Sequence, residues 1–265
     1  MLNDKASIEK LKWIMAQLRN PETGCPWDLK QTFATIVPHT LEEAYEVADA
    51  IEQQDFAELE KELGDLLFQV IFYSQLGQEE KKFDFDSVVA AVCEKLIRRH
   101  PHVFGDTALA TDEEIKANWE NEKAKERAVK NNDDNISILA DIPKNLPALS
   151  QAAKIQKRCA HVGFDWPDKF QVFEKIEEEV AEVKQELDQG TDGLAEELGD
   201  LLFAVVNLCR HAKQDPEALL RQANSKFTKR FNHVEQKVKQ SEKSFEQHDL
   251  QELEDYWQDA KVQLK

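Results

Sequence analysis

The chain has 265 residues, of which 41% are hydrophobic, and 52 acidic against 34 basic side chains give it a formal charge of −18. That excess opposes binding to a long nucleic-acid backbone, which rewards a basic face. No apolar run is longer than that from Leu201 to Val206, too short for a membrane span, and the charged stretch Met1 to Asn20 lacks the apolar centre of a signal peptide. Cys25, Cys93, Cys159 and Cys209 form no CxxC pair, so the expectation is a cytoplasmic protein with reduced thiols and neither disulfide frame nor zinc site.

Apolar residues recur at three-and-four spacing with no alternating strand runs, which predicts an all-α chain. Residues Ser7 to Leu18 read as a first helix, and Asn20 to Asp28, rich in turn formers, as a loop. Pro38 and Thr40 supply start signals for a helix that runs to about Gln53. Further helices follow at Phe56 to Leu76, at Asp86 to His100, where Pro101 stops it, and at Asp112 to Lys130, which Thr111 is placed to cap. The polar run Asn131 to Asn135 has the composition of a linker, and Ile142 to Pro147 opens the second half in extended form. Beyond it, helices are expected at Leu149 to Ala160, Phe170 to Asp188, Leu194 to Lys213, Pro216 to Ser241 and His248 to Lys265, with a loop at His161 to Asp168 and a turn at Gly190 and Gly193. Short connections between long helices favour antiparallel neighbours, hence bundles. The expected division is a domain at 1–130, a linker at 131–145 and a second domain at 146–265.

The two halves spell nearly the same thing. Glu42-Glu43-Ala44-Tyr45-Glu46 leads to Glu62-Leu63-Gly64-Asp65-Leu66-Leu67-Phe68, and Glu178-Glu179-Val180-Ala181-Glu182 leads to Glu197-Leu198-Gly199-Asp200-Leu201-Leu202-Phe203, with 15 and 14 residues between the paired segments. The chain is an internal duplication of a helix pair. The likeness continues through Lys95, Arg99, His102 and Val103 against Lys226, Arg230, His233 and Val234, and through Trp119 and Lys123 against Trp257 and Lys261.

On a helix, Glu179 and Glu182 share a face, as do Glu197 and Asp200 on the next one, so an antiparallel pair brings four carboxylates together. With so many acids in the chain, either pair alone is most simply a solvated face. Asp200, however, lies in a segment apolar on nearly every face, which reads as a buried helix, and Asp65 repeats that context. Buried carboxylates crowded together are costly, and a divalent cation relieves both burial and repulsion. An all-oxygen donor set without histidine suits Mg²⁺, with Mn²⁺ able to substitute, and magnesium held this way commonly meets substrate phosphates. Lys175, one turn before Glu179, and Lys226 with Arg230 are cations suited to such phosphates, although intrahelical ion pairs are the plainer reading of them. Trp257 either stacks on a base or anchors the last helix. Gly64 and Gly199 are each costly in a helix interior, and close helix packing is the expected reason for them.

The pattern EExxE followed by ExxD, present twice, resembles the MazG family of nucleoside triphosphate pyrophosphohydrolases in its tandem form, over essentially the whole chain. Gly24-Cys25-Pro26-Trp27-Asp28, Ile142 to Leu149 and Val162-Gly163-Phe164-Asp165-Trp166 are similar to that family's connecting motifs. The acidic motif alone also admits the related all-α dUTPases and phosphoribosyl-ATP pyrophosphohydrolases. The resemblance implies two MazG-type helical domains, Mg²⁺ dependence, a homodimer and hydrolysis of NTP to NMP and pyrophosphate. It implies metal ligands at Glu179, Glu182, Glu197 and Asp200, and substrate contacts at Lys175, Glu178, the stretch ending at Glu196, Lys226, Arg230 and Trp257. Glu178 is the candidate to accept a proton from the attacking water. The first copy matches at Glu43, Glu46, Glu62 and Asp65, a second metal set, but carries His39 where the second carries Lys175, which places the main activity in the second copy. The alternatives are a metal-dependent nucleotide-binding regulator without turnover and a helical scaffold.

Overall fold

In the computed structural model of the chain, residues 7–131, 137–190, 192–241 and 243–264 are described, and every regular element among them is helical. The chain divides into two compact units, Met1–Lys125 and Glu126–Lys265. The expected linker run falls largely at 132–136, outside the described residues.

The first unit holds α1 (Ile8–Leu18), α2 (Phe33–Gln53), α3 (Phe56–Glu79), α4 (Phe85–Arg99) and the short α5 (Pro101–Phe104), and α6 (Asp112–Asn131) runs across the division. Side-chain caps set most of the starts. Ser7 accepts from the Lys10 amide, Asp55 from Ala57 and Glu58, and Thr111 from Glu114, the last as expected. The start of α2 differs from the sequence expectation. Thr32 and Thr35 cap each other reciprocally, so the helix begins five residues ahead of Pro38, which sits inside it. That internal proline leaves one carbonyl of the preceding turn without its helical donor, a cost the tertiary packing of α2 on α3 offsets. Gln54, in the left-handed region at φ 59°, turns the chain between those two helices.

The core of this unit joins α1, α2 and α3. Met15, Ile36, Ile71, Phe72 and Leu76 are buried together, flanked by Leu11, Leu18, Phe33 and Phe68. Arg19 closes one end: its guanidinium grips Glu79 through two parallel contacts of 2.9 and 2.6 Å and donates to the carbonyls of Asp28 and Gln31. This fixes the Gly24–Asp28 loop against the end of α3.

The second unit comprises α7 (Ala148–His161), α8 (Lys169–Gln189), α9 (Leu194–His211), α10 (Pro216–Gln240) and α11 (Leu250–Gln263). Asp168, Asp215 and Asp249 cap α8, α10 and α11, and Gly190, at φ 63°, ends α8. Helix α9 packs on α8 and α7, while α11 packs on α10. In that last pair Trp257 lies 5.0 Å from the Phe227 ring, and Asp259 accepts from His233 and Lys237, each at 2.9 Å. His233, and Lys237 after it, hold the Asp259 carboxyl down to about 2. The stretch from Ile142 to Pro147 is not uniformly extended but turns at Lys144 and Asn145.

Two expectations about α3 and α9 are corrected. Helix α9 is not buried on every face: Leu198, Leu202, Phe203 and Val205 are exposed, as is Asp200 itself, and Asp65 is exposed in the first copy. Among the described residues α9 packs on α8, α7 and, more lightly, α10, which covers part of its apolar surface and leaves these side chains exposed. Nor do Gly64 and Gly199 permit close packing, since a Cβ at either would meet nothing within 4 Å.

Candidate metal centre and substrate site

Each helix pair brings three carboxylates together. In the second unit oxygens of Glu179, Glu182 and Glu197 lie within 4.8 Å of one another, and in the first unit Glu43, Glu62 and Asp65 do the same. The periodicity of α8 puts Glu179 and Glu182 on the face turned to α9, where Glu197 meets them. The expected set of four is therefore a trio in each copy. Asp200 stands outside the second trio, at the exposed edge of α9, yet its charge still bears on Glu197; Glu46 stands outside the first but hydrogen-bonds Glu43. The turn between the paired helices also differs, with two residues between Gln53 and Phe56 in the first copy and four between Gln189 and Leu194 in the second.

Partial desolvation, then the charges of Glu182, Glu179 and Asp200, push the Glu197 carboxyl above the usual range. In the first copy burial, then Asp65 and Glu46, does the same to Glu43, and Glu62 is raised as well. Hard oxygens crowded together in this way fit Mg²⁺ or Mn²⁺, which would supply the missing countercharge. In the second unit Glu179, Glu182 and Glu197 would hold such an ion.

Lys175 separates the copies. Its ammonium sits 2.7 Å from Glu179, which is only 4% exposed, and 2.9 Å from Glu178, and these two partners, Glu179 first, raise its pKa strongly. His39, in the corresponding place, lies 3.6 Å from Glu42 alone, and Glu43 has no cation in this position. Glu178 is exposed, and Glu196 is exposed in the first turn of α9. Lys226 is exposed and Arg230 half-buried, with its Nε enclosed and unpartnered; no ion pair among the described residues joins either to the carboxylates. Trp257 is half-buried on Phe227, with the Lys261 ammonium 6.0 Å from its ring centre. Lys123 stands over Trp119 in the same way at 5.7 Å, so the repeat extends to this contact.

One feature escaped the sequence reading. Beside α9, toward its C-terminus, Gln156, Phe164, Trp166, Phe203 and Asn207 line a cavity of about 400 Å³. The Gly163–Trp166 motif is fastened there by Asp165, which accepts from Arg210 and His211 and is held below the usual carboxylate range by them despite partial burial. The signal was present as a mismatch between the copies: seven residues past each aspartate stand Phe72 and Asn207.

A carboxylate trio on each copy of a duplicated helix pair, in the second copy flanked by an ammonium, makes the chain an all-α protein with a candidate metal centre in each half. The chain belongs to the MazG family. The model of the MazG nucleotide pyrophosphohydrolase domain matches it twice, at residues 31–104 and 171–238, spanning both trios. A curated relative from Escherichia coli, named nucleoside triphosphate pyrophosphohydrolase, is 52% identical over 97% of both chains. One from Thermotoga maritima, named nucleoside triphosphate pyrophosphohydrolase/pyrophosphatase MazG, is 42% identical over 96% of this chain and 95% of its own. Among the described residues no helix is long and apolar enough to cross a membrane.

Proposed function

We propose that this chain is a Mg²⁺-dependent nucleoside triphosphate pyrophosphohydrolase, converting NTPs and dNTPs to the monophosphates and pyrophosphate, with its main site in the second unit. The observation that carries the reading is the Glu179, Glu182 and Glu197 trio with Lys175 against it, in a chain so similar to relatives of that name. A divalent cation at the trio would supply countercharge to the triphosphate and acidity to a coordinated water. Glu178, exposed and one residue from the trio, is the proposed acceptor of that water's proton. The water oxygen forms a bond to the α-phosphorus as the bond to the bridging oxygen breaks, and the electron pair leaves with pyrophosphate. Lys175, paired with Glu179 and Glu178, would be the ammonium available to a phosphate oxygen, and Lys226 and Arg230 would stabilise the departing charge. Asp200, at the edge of α9, would be a further ligand; Glu196 and Trp257 would complete the substrate contacts. The first unit, with His39 in place of Lys175, binds metal and nucleotide more weakly or not productively.

The protein acts as a homodimer in this reading, since α9 leaves Leu198, Leu202 and Val205 exposed on the helix that bears the site. The role is nucleotide-pool housekeeping in the cytoplasm, with neither long nucleic acid nor membrane as partner, consistent with the charge of −18. The test is phosphorus NMR of Mg-NTP turnover. Monophosphate and pyrophosphate are expected; diphosphate and orthophosphate refute the reading, and saturable binding without products leaves only a nucleotide-binding regulator.

A further inference from the structure

Two stripes at alternating four-and-three spacing run side by side along α10. Phe227, Phe231, Val234 and Val238 form an apolar stripe, with Val234 and Val238 buried, and Lys226, Arg230, His233 and Lys237 form a basic one beside it. Helix α11 packs on α10 with Ala260 fully buried and Trp257 against Phe227. Among the described residues α10 is the only helix on which α11 packs at length, so this one seam fixes where the Trp257 indole stands.

Asp259 reaches from α11 to the basic stripe and takes its C-terminal half. Its Oδ2 accepts from His233 Nε2 and from Lys237 Nζ, each at 2.9 Å, and its Oδ1 accepts from Gln263 at 2.9 Å. Both oxygens are engaged, and the carboxyl, held down to about 2 by His233 and then Lys237, keeps its charge. The N-terminal half of the stripe is left over: Lys226 is exposed, and the enclosed Nε of Arg230 has no partner. The first copy has part of the stripe but not the clasp. Lys95, Arg99 and His102 match Lys226, Arg230 and His233, but Asp106 stands four residues past His102 where Lys237 stands past His233, and two residues past Trp119 the counterpart of Asp259 is Asn121. Among the described residues no carboxylate pairs with His102, whose enclosed Nδ1 has no partner at all.

We infer that Asp259 is a positioning residue for the substrate: by clasping His233 and Lys237 it seats α11 so that Trp257 stands at the end of the stripe that carries Lys226 and Arg230, and it leaves those two cations for phosphate. The inference rests on the reading in which Trp257, Lys226 and Arg230 meet the nucleotide. Asp259 itself touches no substrate atom and acts through Trp257, so its loss is read in KM rather than in kcat.

Steady-state kinetics of pyrophosphate release from Mg-NTP by the full chain test this. Asp259→Asn should raise KM about tenfold, within the range expected when an aromatic side chain no longer stacks on a base, and leave kcat within about threefold. Lys237→Met should shift KM the same way by less, and guards against misfolding of the first variant. In a Trp257→Ala background, Asp259→Asn should add less than about twofold, because the residue through which it acts is gone. A merely structural role would multiply with Trp257→Ala and lower kcat as well. An unchanged KM in both Asp259→Asn and Lys237→Met, or an effect of Asp259→Asn that is the same with and without Trp257, overturns the inference. If the wild type releases no pyrophosphate, the enzymatic reading fails by itself; the same variants are then compared by their Kd for Mg-NTP in equilibrium dialysis, where the same dependence on Trp257 is expected and its absence overturns the inference.

Discussion

Glu179→Gln removes the one carboxylate of the second trio that is fully buried, and its effect on metal binding follows from two opposing charges. Two unit charges about 4 Å apart attract by about 4 kcal/mol at an effective dielectric constant of about 20, so a divalent ion loses about 8 kcal/mol of attraction when the charge is deleted. Against this, the wild type must release Glu179 from the Lys175 ammonium it contacts before the ion binds, which, with those charge centres also taken about 4 Å apart, offsets about 4 kcal/mol on the same scale. The net loss is about 4 kcal/mol, roughly a thousandfold in Kd. Glutamine keeps the shape, and the variant relieves repulsion toward Glu182 and Glu197, so the fold should hold. The assay is titration of the metal-free protein with Mn²⁺, following the free-ion signal by electron paramagnetic resonance, with Glu43→Gln as the counterpart in the first unit. Glu179→Gln should lose one class of sites and nearly all turnover while its circular dichroism stays helical. Mn²⁺ binding within about threefold of the wild type would show that the trio is not the metal site.

Lys175→Met should move binding and turnover in opposite directions. Mn²⁺ affinity should rise, by up to about a thousandfold on the scale used above, because the competing ammonium is gone, and kcat should fall by about 10²–10³ because the phosphates lose it too; parallel changes would argue against the exchange. Asp259→Asn tests the α10–α11 pair through pH. The depressed Asp259 pKa of about 2 contributes stability that is present above the unfolded-state value and lost as pH falls toward about 2. Urea denaturation should therefore show the wild type ahead of the variant at pH 6, with the gap closing below about pH 4; a gap that persists at pH 2 contradicts the pairing. Phe72→Ala should cost the first unit about 3–5 kcal/mol, as expected for a fully buried aromatic, while NTP turnover by the second unit continues. Loss of turnover without loss of stability would reassign the activity.

Much of the molecule was legible because its signals are local. The helix pairs follow from apolar spacing, Thr111 caps where it stands, and convergence of Glu179, Glu182 and Glu197 follows from two helical periods and one short turn. The start of α2 was misread because Pro38 is a strong local marker, whereas the Thr32–Thr35 box is two weak residues whose meaning depends on packing. The burial of Asp200 was misjudged for a different reason. Hydrophobicity on every face of α9 does not say which faces are covered, and Leu198, Leu202, Phe203 and Val205 beside Asp200 are exposed.

The sequence by itself determined the duplication, the all-helical class, the acidic pairs and the contrast between Lys175 and His39, since each is a matter of residue identity and short-range spacing. Only the tertiary structure decided which three carboxylates meet, that Asp200 and Glu46 stand aside, that Lys175 reaches Glu179 as well as Glu178, and that Asn207 and Gln156 line one cavity. These depend on how one helix is rotated and shifted against another. The paired helices end and restart at different points in the two copies, at Gln53 and Phe56 and at Gln189 and Leu194, and no pattern within a single helix records how they then meet.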